Sequence, residues 1–527
     1  MHGRNFIGFE HSSSGGSTYR AYDPKAGEAI EPEFHEATQS ELERAMDLAD
    51  KAAVRLRRLG SQEVADFLAA VAQEIGAIGD ALIERAAQET GLDRERLRGE
   101  RDRTLNQIKL FVEIVKDGSW VDARIDTALP DRKPLPRPDI RRMLEPIGPV
   151  AVFGASNFPL AFSVAGGDTI SAFAARNPVV VKAHPAHPGT SELVAAAISN
   201  VIQAKSMPEG TFSMLHAKAP TLSLALVSHP ATRAAAFTGS ARAGRALFDA
   251  AARRPDPIPV FAEMGSVNPV FILPGILQTK GEAIADGLFR SVLLGVGQFC
   301  TCPGLVFGVE NGAFANFREK LATNFEAASP GAMLNPAICN GYKERLESIA
   351  KTAGVQTRLS VRPADAKHTE GQPAVFVTTA ETWLNNKELQ EEIFGPSTIL
   401  ITCQSQEEFL KAAQALEGSL TATIHGTPEE LARNSELIDL LSRKAGRLIF
   451  NGYPTGVEVG YAMHHGGPYP ATTDEKFTSV GAAAIYRFAR PVCYQNFPEN
   501  LLPLELQDSN PRKIWRIVNG QLTRDGV

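Results

Sequence analysis

The sequence has no long hydrophobic run, no excess of positive charge and few cysteines. Its apolar stretches end well before the about 18 residues that a membrane-spanning helix needs, so we expect no membrane partner. The net charge of −6 provides no general attraction to nucleic acid or to an anionic membrane. The first residues lack the apolar core of a signal peptide. These absences predict a cytoplasmic protein whose partner is a small molecule.

Cysteines occur only at positions 300, 302, 339, 403 and 493. An odd number in a long chain without a secretion signal predicts reduced thiols rather than a disulfide framework. Cys300 and Cys302 form a C-x-C pair with no second pair and no histidine nearby, and the adjacent His464 and His465 have no further ligand at suitable spacing. We therefore predict no metal site and interpret the two histidines as part of a loop at the substrate entrance.

From residue 146 onward, short apolar runs alternate with helical patterns. The runs lie at 150–153, 179–182, 212–215, 234–237 and 260–262. Parallel strands need crossover connections, and helices are the usual ones. This order therefore predicts an α/β fold with a doubly wound parallel sheet and a nucleotide site at its carboxyl edge.

The other regions are interpreted from periodicity. Two amphipathic helices are predicted at 41–59 and 63–90, with Ser40 and Ser61 as their caps. A second α/β stretch is predicted from residue 268 to about 450. The region 453–471 is rich in proline and glycine and is typical of a loop.

Three residues have side chains suited to covalent chemistry on a carbonyl. Cys300 follows Gly-Gln-Phe at a turn, where backbone N–H groups would favour a thiolate. Glu263 ends an apolar strand and could act as a base, and Asn157 follows the first predicted sheet strand, where its amide could stabilise an oxyanion. Taken singly, the three are more typical of a buried thiol, a structural carboxylate and a turn asparagine.

Five motifs in one order give these residues a common context. They are N-F-P at 157–159, F-T-G-S at 237–240, Glu263, G-Q-F-C at 297–300 and E-E-I-F-G-P at 391–396. With these motifs the chain resembles the aldehyde dehydrogenase superfamily along nearly its whole length. The resemblance implies an NAD(P)-dependent oxidation of an aldehyde to a carboxylic acid.

The resemblance also implies an architecture. A Rossmann-type cofactor domain would comprise residues 1–123 and 147–262, and a catalytic domain would comprise 263–460. A bridging β-flap would comprise 124–146 and 480–505. Such flaps pair between subunits, which implies a homodimer or a homotetramer.

The family chemistry is carried over residue by residue. Cys300 would attack the aldehyde, Asn157 would hold the oxyanion, and Glu263 would activate the water that hydrolyses the thioester. Phe162 and Thr301 would line the substrate site. Cys302 is interpreted as a small filler, with a redox partnership with Cys300 as the alternative.

The cofactor residues are implied in the same way, and G-x-G-x-x-G is absent. They are Lys182, Gly239, Ser240, Gly244, Glu392 and Phe394. Dinucleotide sites that select NAD usually have an acidic residue after the second strand, whereas Pro185 occupies that region here. Because Lys182, His184 and His187 surround it, we predict that NADP is accepted at least as well as NAD.

The C-terminal region suggests the substrate. Residues 464–474 and 490–496 resemble the branch that acts on α-ketoglutaric semialdehyde (2,5-dioxopentanoate). The carboxylate of this substrate needs a cation or several donors, and Arg290 is one candidate, although a solvated helix residue is the alternative. A broad or fatty aldehyde dehydrogenase and a catalytically silent structural homologue remain alternatives, whereas Glu263 disfavours a CoA-acylating relative.

Overall fold

The computed structural model describes residues 1–527, except for the side chain of Ala366. Two seven-stranded sheets and one five-stranded sheet organise the chain. The α-helices are α1 Gln39–Leu56, α2 Ser61–Ala77, α3 Asp80–Thr90, α4 Arg94–Asp117, α5 Gly167–Ala174, α6 Pro188–Ala204, α7 Pro220–Ser228, α8 Ala241–Ala252, α9 Pro274–Leu293, α10 Gly312–Ala327, α11 Pro336–Ala350, α12 Ala380–Leu384, α13 Gln406–Ala415, α14 Pro428–Arg433 and α15 Ser435–Ser442. The strands are β1 Asn5–Ile7, β2 Glu10–Ser12, β3 Thr18–Asp23, β4 Glu28–His35, β5 Arg124–Asp126, β6 Ile140–Pro146, β7 Val150–Phe153, β8 Val179–Ala183, β9 Phe212–His216, β10 Ala234–Thr238, β11 Val260–Glu263, β12 Val270–Ile272, β13 Leu305–Val309, β14 Gly331–Ala332, β15 Gln356–Leu359, β16 Glu370–Gly371, β17 Ala374–Thr379, β18 Ser397–Cys403, β19 Ser419–His425, β20 Ala445–Phe450, β21 Ala489–Gln495, β22 Arg516–Val518 and β23 Gln521–Thr523.

The first sheet has the order β11-β10-β7-β8-β9-β1-β2. Five of its strands, β7 to β11, are parallel and confirm the five strands predicted from the sequence. Helices on both faces bury the sheet, which explains why these strands are apolar on both sides. In the pairing of β10 with β11, Thr238 lies opposite Glu263, so the turn after β10 and the carboxylate are neighbours.

The second sheet, in the order β15-β17-β18-β13-β12-β19-β20, is also parallel except at its β15 edge. Its core contains stacked rings of Phe271 and Phe307, with centroids 4.7 Å apart. The chain passes from the end of β11 directly into β12, so the two sheets meet at residues 263–270. The predicted second α/β stretch is thus confirmed.

The third sheet, β21-β6-β5-β22-β23, combines residues from distant parts of the chain. It takes in β22 and β23, which lie beyond residue 505, in addition to the predicted flap segments. The strand β21 forms one edge of this sheet, and most of its residues are exposed or half-buried. Among the described residues, no helix combines the length and apolar character that crossing a bilayer requires.

The first helices begin and end at points that differ from the sequence-based expectation. Helix α1 is capped by Thr38 rather than Ser40, because the Thr38 hydroxyl accepts from the Glu41 N–H and the Glu41 carboxylate accepts from the Thr38 N–H. The predicted helix 63–90 is two helices, separated at Gly79, whose φ of 66° is incompatible with a continuous helix. Ser61 is the first residue of α2, and Gly60 occupies its cap position.

Candidate active site

A cavity of about 1010 Å³ opens at the carboxyl ends of β7, β8, β10 and β11. This is the edge at which doubly wound sheets bind nucleotides. The cavity extends from Lys182 at one end to Glu263 and Cys300 at the other. Glu392 and Phe394, which follow the second sheet's strand β17 in the chain, complete its wall. The cavity therefore brings the predicted cofactor and catalytic residues to one place.

The turn after β10 presents a helix N-terminus to this cavity. Gly239 and Ser240 line the cavity, and Ser240 caps α8 by accepting from the Ala243 N–H at 3.4 Å. The free N–H groups of such a helix end favour a phosphate. Gly244 has a different position: a Cβ there would lie 2.8 Å from the Met264 Sδ. Gly244 therefore allows α8 to pack closely on the chain after β11.

Positive charge at the far end of the cavity comes mainly from Lys182. Burial lowers the pKa of Lys182 to about 8. His184 also lines the cavity, but burial lowers its pKa well below the ordinary value, so it is neutral near pH 7. The expectation that His187 is available was wrong, because its side chain is fully buried and Nε2 contacts the Ala155 carbonyl at 2.8 Å. Lys218, which sequence reasoning missed, lines the same end.

Glu392 faces the cavity with no cationic partner among the described side chains. Burial raises the pKa of Glu392 to about 7, against the opposing effect of the Ser266 N–H. A Cβ on Gly265 would lie 2.5 Å from the Glu392 Oε2, so a larger residue there would displace the carboxylate from its present position. Glu392 and Phe394 are therefore available to a ligand that fills the cavity.

Asn268 holds the turn that carries Cys300. After α9 the chain reverses through Gly295, Val296 and Gly297, all with positive φ. Asn268 then donates from Nδ2 to the carbonyl oxygens of Cys300 and Cys302, at 2.9 and 3.0 Å. Asn268 is fully buried and itself has a positive φ of 44°. Only the tertiary structure identifies this role, since an isolated asparagine before proline carries no such signal.

Glu263, Cys300 and His465 form a compact cluster at the catalytic end. The His465 Nε2 lies 3.0 Å from the Glu263 Oε1 and 3.6 Å from the Cys300 Sγ. Ser479 donates to the other oxygen of Glu263, Oε2. The loop between β20 and β21 thus delivers His465 and Ser479 to a carboxylate from the first sheet. The sequence-based interpretation of His465 as part of a loop did not anticipate that its side chain is buried against Glu263 and Cys300.

The cluster sets the charges of its members. Burial, the Glu263 charge and a hydrogen bond to Glu263 raise the pKa of the Cys300 thiol well above its usual value, with the Arg103 charge opposing. Burial acts to raise the pKa of Glu263, but the proximity of His465, the hydrogen bond from Ser479 and the contact with Cys300 hold it below the ordinary value. The resting cluster therefore contains a neutral thiol beside an ionised carboxylate.

The remaining predicted residues differ in whether they line the cavity or are buried behind it. Asn157 lines the cavity and donates from Nδ2 to the Gln298 carbonyl at 3.0 Å. Phe162 is buried, and its ring centroid is 6.3 Å from that of His465. Thr301 is buried outside the cavity lining, and its hydroxyl has no partner. Cys302 is buried with its Sγ 3.8 Å from the Val292 carbonyl, and burial raises its pKa.

Two half-buried arginines interact electrostatically with Cys300. The Arg103 guanidinium stacks 5.4 Å above the Phe162 ring, and its Nε donates to the Val457 carbonyl at 3.3 Å. The charge of Arg447 also acts on Cys300, and its buried Nε has no partner. Arg290, the sequence-based candidate, is exposed on α9. Arg103 and Arg447 differ from Arg290 in being partly buried and close to groups that can carry negative charge. Only the folded chain shows this difference.

A cysteine beside a carboxylate, in a cavity at the carboxyl edge of a doubly wound sheet, is typical of an enzyme that oxidises carbonyl compounds. The chain belongs to the aldehyde dehydrogenase family, whose pattern it matches over residues 9–474. It is therefore an oxidoreductase that uses NAD(P) and acts on an aldehyde.

Similar proteins include two curated bacterial enzymes. Alpha-ketoglutaric semialdehyde dehydrogenase 2 of Azospirillum brasilense is 48% identical over 98% of this chain and 99% of the relative. Alpha-ketoglutaric semialdehyde dehydrogenase of Acinetobacter baylyi is 45% identical over 99% of both chains.

Solved structures support the fold. A 3,6-anhydro-L-galactose dehydrogenase in complex with NAP has a TM-score of 0.79 at 22% identity, over 94% of this chain and 100% of that one. Lactaldehyde dehydrogenase from Escherichia coli has a TM-score of 0.81 at 18% identity, over 94% and 98%. The predicted aldehyde dehydrogenase fold is thereby confirmed.

Proposed function

We propose that this aldehyde dehydrogenase oxidises α-ketoglutaric semialdehyde to 2-oxoglutarate. The observation that carries the proposal is the near full-length identity of 48% to a relative that bears this substrate's name. The substrate side is also suited to a keto acid, because a desolvated carboxylate needs a charged partner. Arg103 is that partner in our proposal, with Arg447 adding positive potential.

Cys300 is the nucleophile and His465 its first base. Because the pKa of the resting thiol is raised, the thiol must lose its proton before attack. The His465 Nε2, 3.6 Å from Sγ, takes that proton. The thiolate then forms a bond to the aldehyde carbon, and the carbonyl π electrons move to oxygen, which Asn157 Nδ2 and the Cys300 N–H stabilise.

Glu263 serves the second half of the reaction. NAD(P), when bound, would accept a hydride from the former aldehyde carbon. As the C–H bond breaks, the oxyanion re-forms the C=O bond, and a thioester remains on Cys300. Glu263, ionised and oriented by Ser479, takes a proton from water as that water attacks the thioester carbon. The carbon–sulfur bond breaks, the acid leaves, and the sulfur recovers a proton.

The residues that line the cavity are suited to binding the dinucleotide NAD(P). Lys182 supplies a cation, Ser240 and Gly239 offer a helix N-terminus, and Glu392 and Phe394 lie toward Cys300. Glu392 would bind a ribose hydroxyl and Phe394 would pack beside the nicotinamide.

No acidic side chain occupies the region of Pro185, so we propose that NADP is accepted at least as well as NAD. Lys182 and Lys218 would contact its 2′-phosphate.

We also propose the domain division and assembly implied by the family. Residues 1–123 and 147–262 would form the cofactor domain and 263–460 the catalytic domain. The third sheet would be the bridging element, and its exposed edge strand β21 supports pairing with a second copy. A homodimer or homotetramer is expected, which light scattering coupled to size exclusion will distinguish.

A steady-state panel tests the proposed substrate. We expect kcat/KM for α-ketoglutaric semialdehyde to exceed that for succinic semialdehyde, pentanal and a long-chain aldehyde. Preference for the long-chain aldehyde would instead indicate a fatty aldehyde dehydrogenase. Absence of NAD(P)H formation with every aldehyde would indicate a catalytically silent homologue.

A further inference from the structure

Three side chains at the catalytic end present metal-type ligand atoms to one point. The Glu263 Oε1, Cys300 Sγ and His465 Nε2 all lie within 4.8 Å of one another. They come from the end of β11, the turn after α9 and the loop before β21. The sequence predicted no metal site because these ligands are far apart in the chain.

The distances suit zinc. Zinc bonds of about 2.0 Å to nitrogen or oxygen and about 2.3 Å to sulfur, in tetrahedral geometry, place ligand atoms roughly 3.3 to 3.6 Å apart. The Nε2 to Oε1 distance is 3.0 Å and the Nε2 to Sγ distance is 3.6 Å. For these two pairs, shifts of a few tenths of an ångström suffice. The third pair, Glu263 Oε1 and Cys300 Sγ, lies within 4.8 Å and would close further on zinc binding, and a fourth position remains for water.

Hydrogen bonding leaves this point unsatisfied. The Glu263 Oε1 is buried and has no well-oriented hydrogen bond, although His465 is close. In the tautomer that accepts the thiol proton, the His465 Nε2 has a lone pair, which faces the sulfur and lies 3.0 Å from the carboxylate oxygen. A divalent cation would satisfy all three atoms at once, and a thiolate with a carboxylate would balance its charge.

We propose that Glu263, Cys300 and His465 form a zinc site whose occupancy reversibly inhibits the enzyme. Zinc displaces the thiol proton and forms a bond to sulfur, with no change in oxidation state. The metal reaches the site through the cavity, which Glu263 and Cys300 line. The inhibition rests on the proposed role of Cys300, whereas metal binding requires only the three side chains.

Cobalt is the spectroscopic probe for this site. The purified full-length enzyme, reduced and stripped with a chelator, is titrated with Co²⁺ and separately with Zn²⁺ by calorimetry. We expect one equivalent to bind, a thiolate-to-cobalt charge-transfer band, and a Zn²⁺ inhibition that is competitive with aldehyde and reversed by chelator. His465→Ala should weaken zinc binding by at least about tenfold, and Cys300→Ser should abolish the band.

Matched variants separate this site from other metal binding. His464→Ala removes the adjacent histidine, and Cys493→Ser removes the exposed thiol; both should retain the band and the inhibition. Thermal unfolding checks that each variant is folded. A wild-type enzyme without the band, or a band that survives in folded His465→Ala, overturns the proposal. A band in a protein without dehydrogenase activity leaves the metal site intact and refutes the proposed function instead.

Discussion

The two ends of the cavity treat ionisable groups differently. At the open end, defined by Lys182, the charged group is buried without an ion-pair partner, and burial moves its pKa toward neutrality. Glu392, in the cavity wall nearer Cys300, is buried in the same way, and its pKa also moves toward neutrality. At the crowded end, defined by Glu263, Cys300 and His465, the groups contact one another and neighbours decide which is charged. A group without a partner is available to a ligand, whereas a group in a cluster is tuned for proton transfer.

The sharpest test of the crowded end compares two cysteines in one turn. Cys300→Ala should lower kcat/KM by at least about 10³-fold, since the covalent route is lost. Cys302→Ala should keep most activity, because its sulfur is buried toward the Val292 carbonyl. Initial rates of NADPH formation measure both. Equal losses in the two variants would remove the distinction between them.

The carboxylate of the same cluster should show a different defect. In Glu263→Gln, we expect a rapid burst of NADPH followed by steady turnover that is slower by about 10²- to 10⁴-fold, because water activation is lost after hydride transfer. Stopped-flow absorbance separates the two phases. Loss of the burst itself would place Glu263 in the first step, and unchanged turnover would exclude it as the base.

Substrate charge should matter next. Arg103→Met should reduce kcat/KM for α-ketoglutaric semialdehyde by about 10- to 100-fold, the usual effect of losing a charge-assisted contact. Pentanal should be affected much less, since it has no carboxylate. Arg290→Met is the matched control, because Arg290 is exposed. A similar loss for both substrates would show that Arg103 supports the fold rather than specificity.

The smallest expected effect is on NADP affinity and concerns Lys182, at the open end of the cavity. Since burial lowers the pKa of Lys182 to about 8, the free enzyme loses this charge as the pH rises through about 8. Bound phosphate favours the charged form, so the Kd for NADP should be stable from about pH 7 to 8 and then increase by up to about tenfold per pH unit. Fluorescence titration measures it. Lys182→Met should bind more weakly at every pH, without this dependence.

The sequence predicted the sheets better than the connections between them. Five strands were found because buried parallel strands are short apolar runs, a local signal. The helix break at Gly79 and the cap at Thr38 were missed, since a single glycine or threonine competes with a long periodic pattern. Motif order was sufficient to select Cys300, Glu263 and Asn157, which the structure brings to one cavity end.

Other site features depend on contacts that no local pattern records. His465 reaches Glu263 across the first sheet's edge, and Asn268 holds the nucleophile turn through two carbonyls. His187 lies in a cationic-looking segment, yet its ring is packed inside. The direction of a side chain after a strand end depends on the helix or loop that packs against it. Sequence spacing alone therefore could not show that His465 and Asn268 point into the site whereas His187 points into the core.

One backbone hydrogen bond joins the two ends of the site. The Gly239 N–H, in the turn beside α8, donates to the Glu263 carbonyl at 3.0 Å. We therefore expect an adjustment of that turn around a bound phosphate to shift the backbone of Glu263. We expect ordered addition, with the nucleotide entering first and setting the carboxylate's position before the aldehyde arrives, so that product inhibition patterns should show a compulsory sequence rather than a random one.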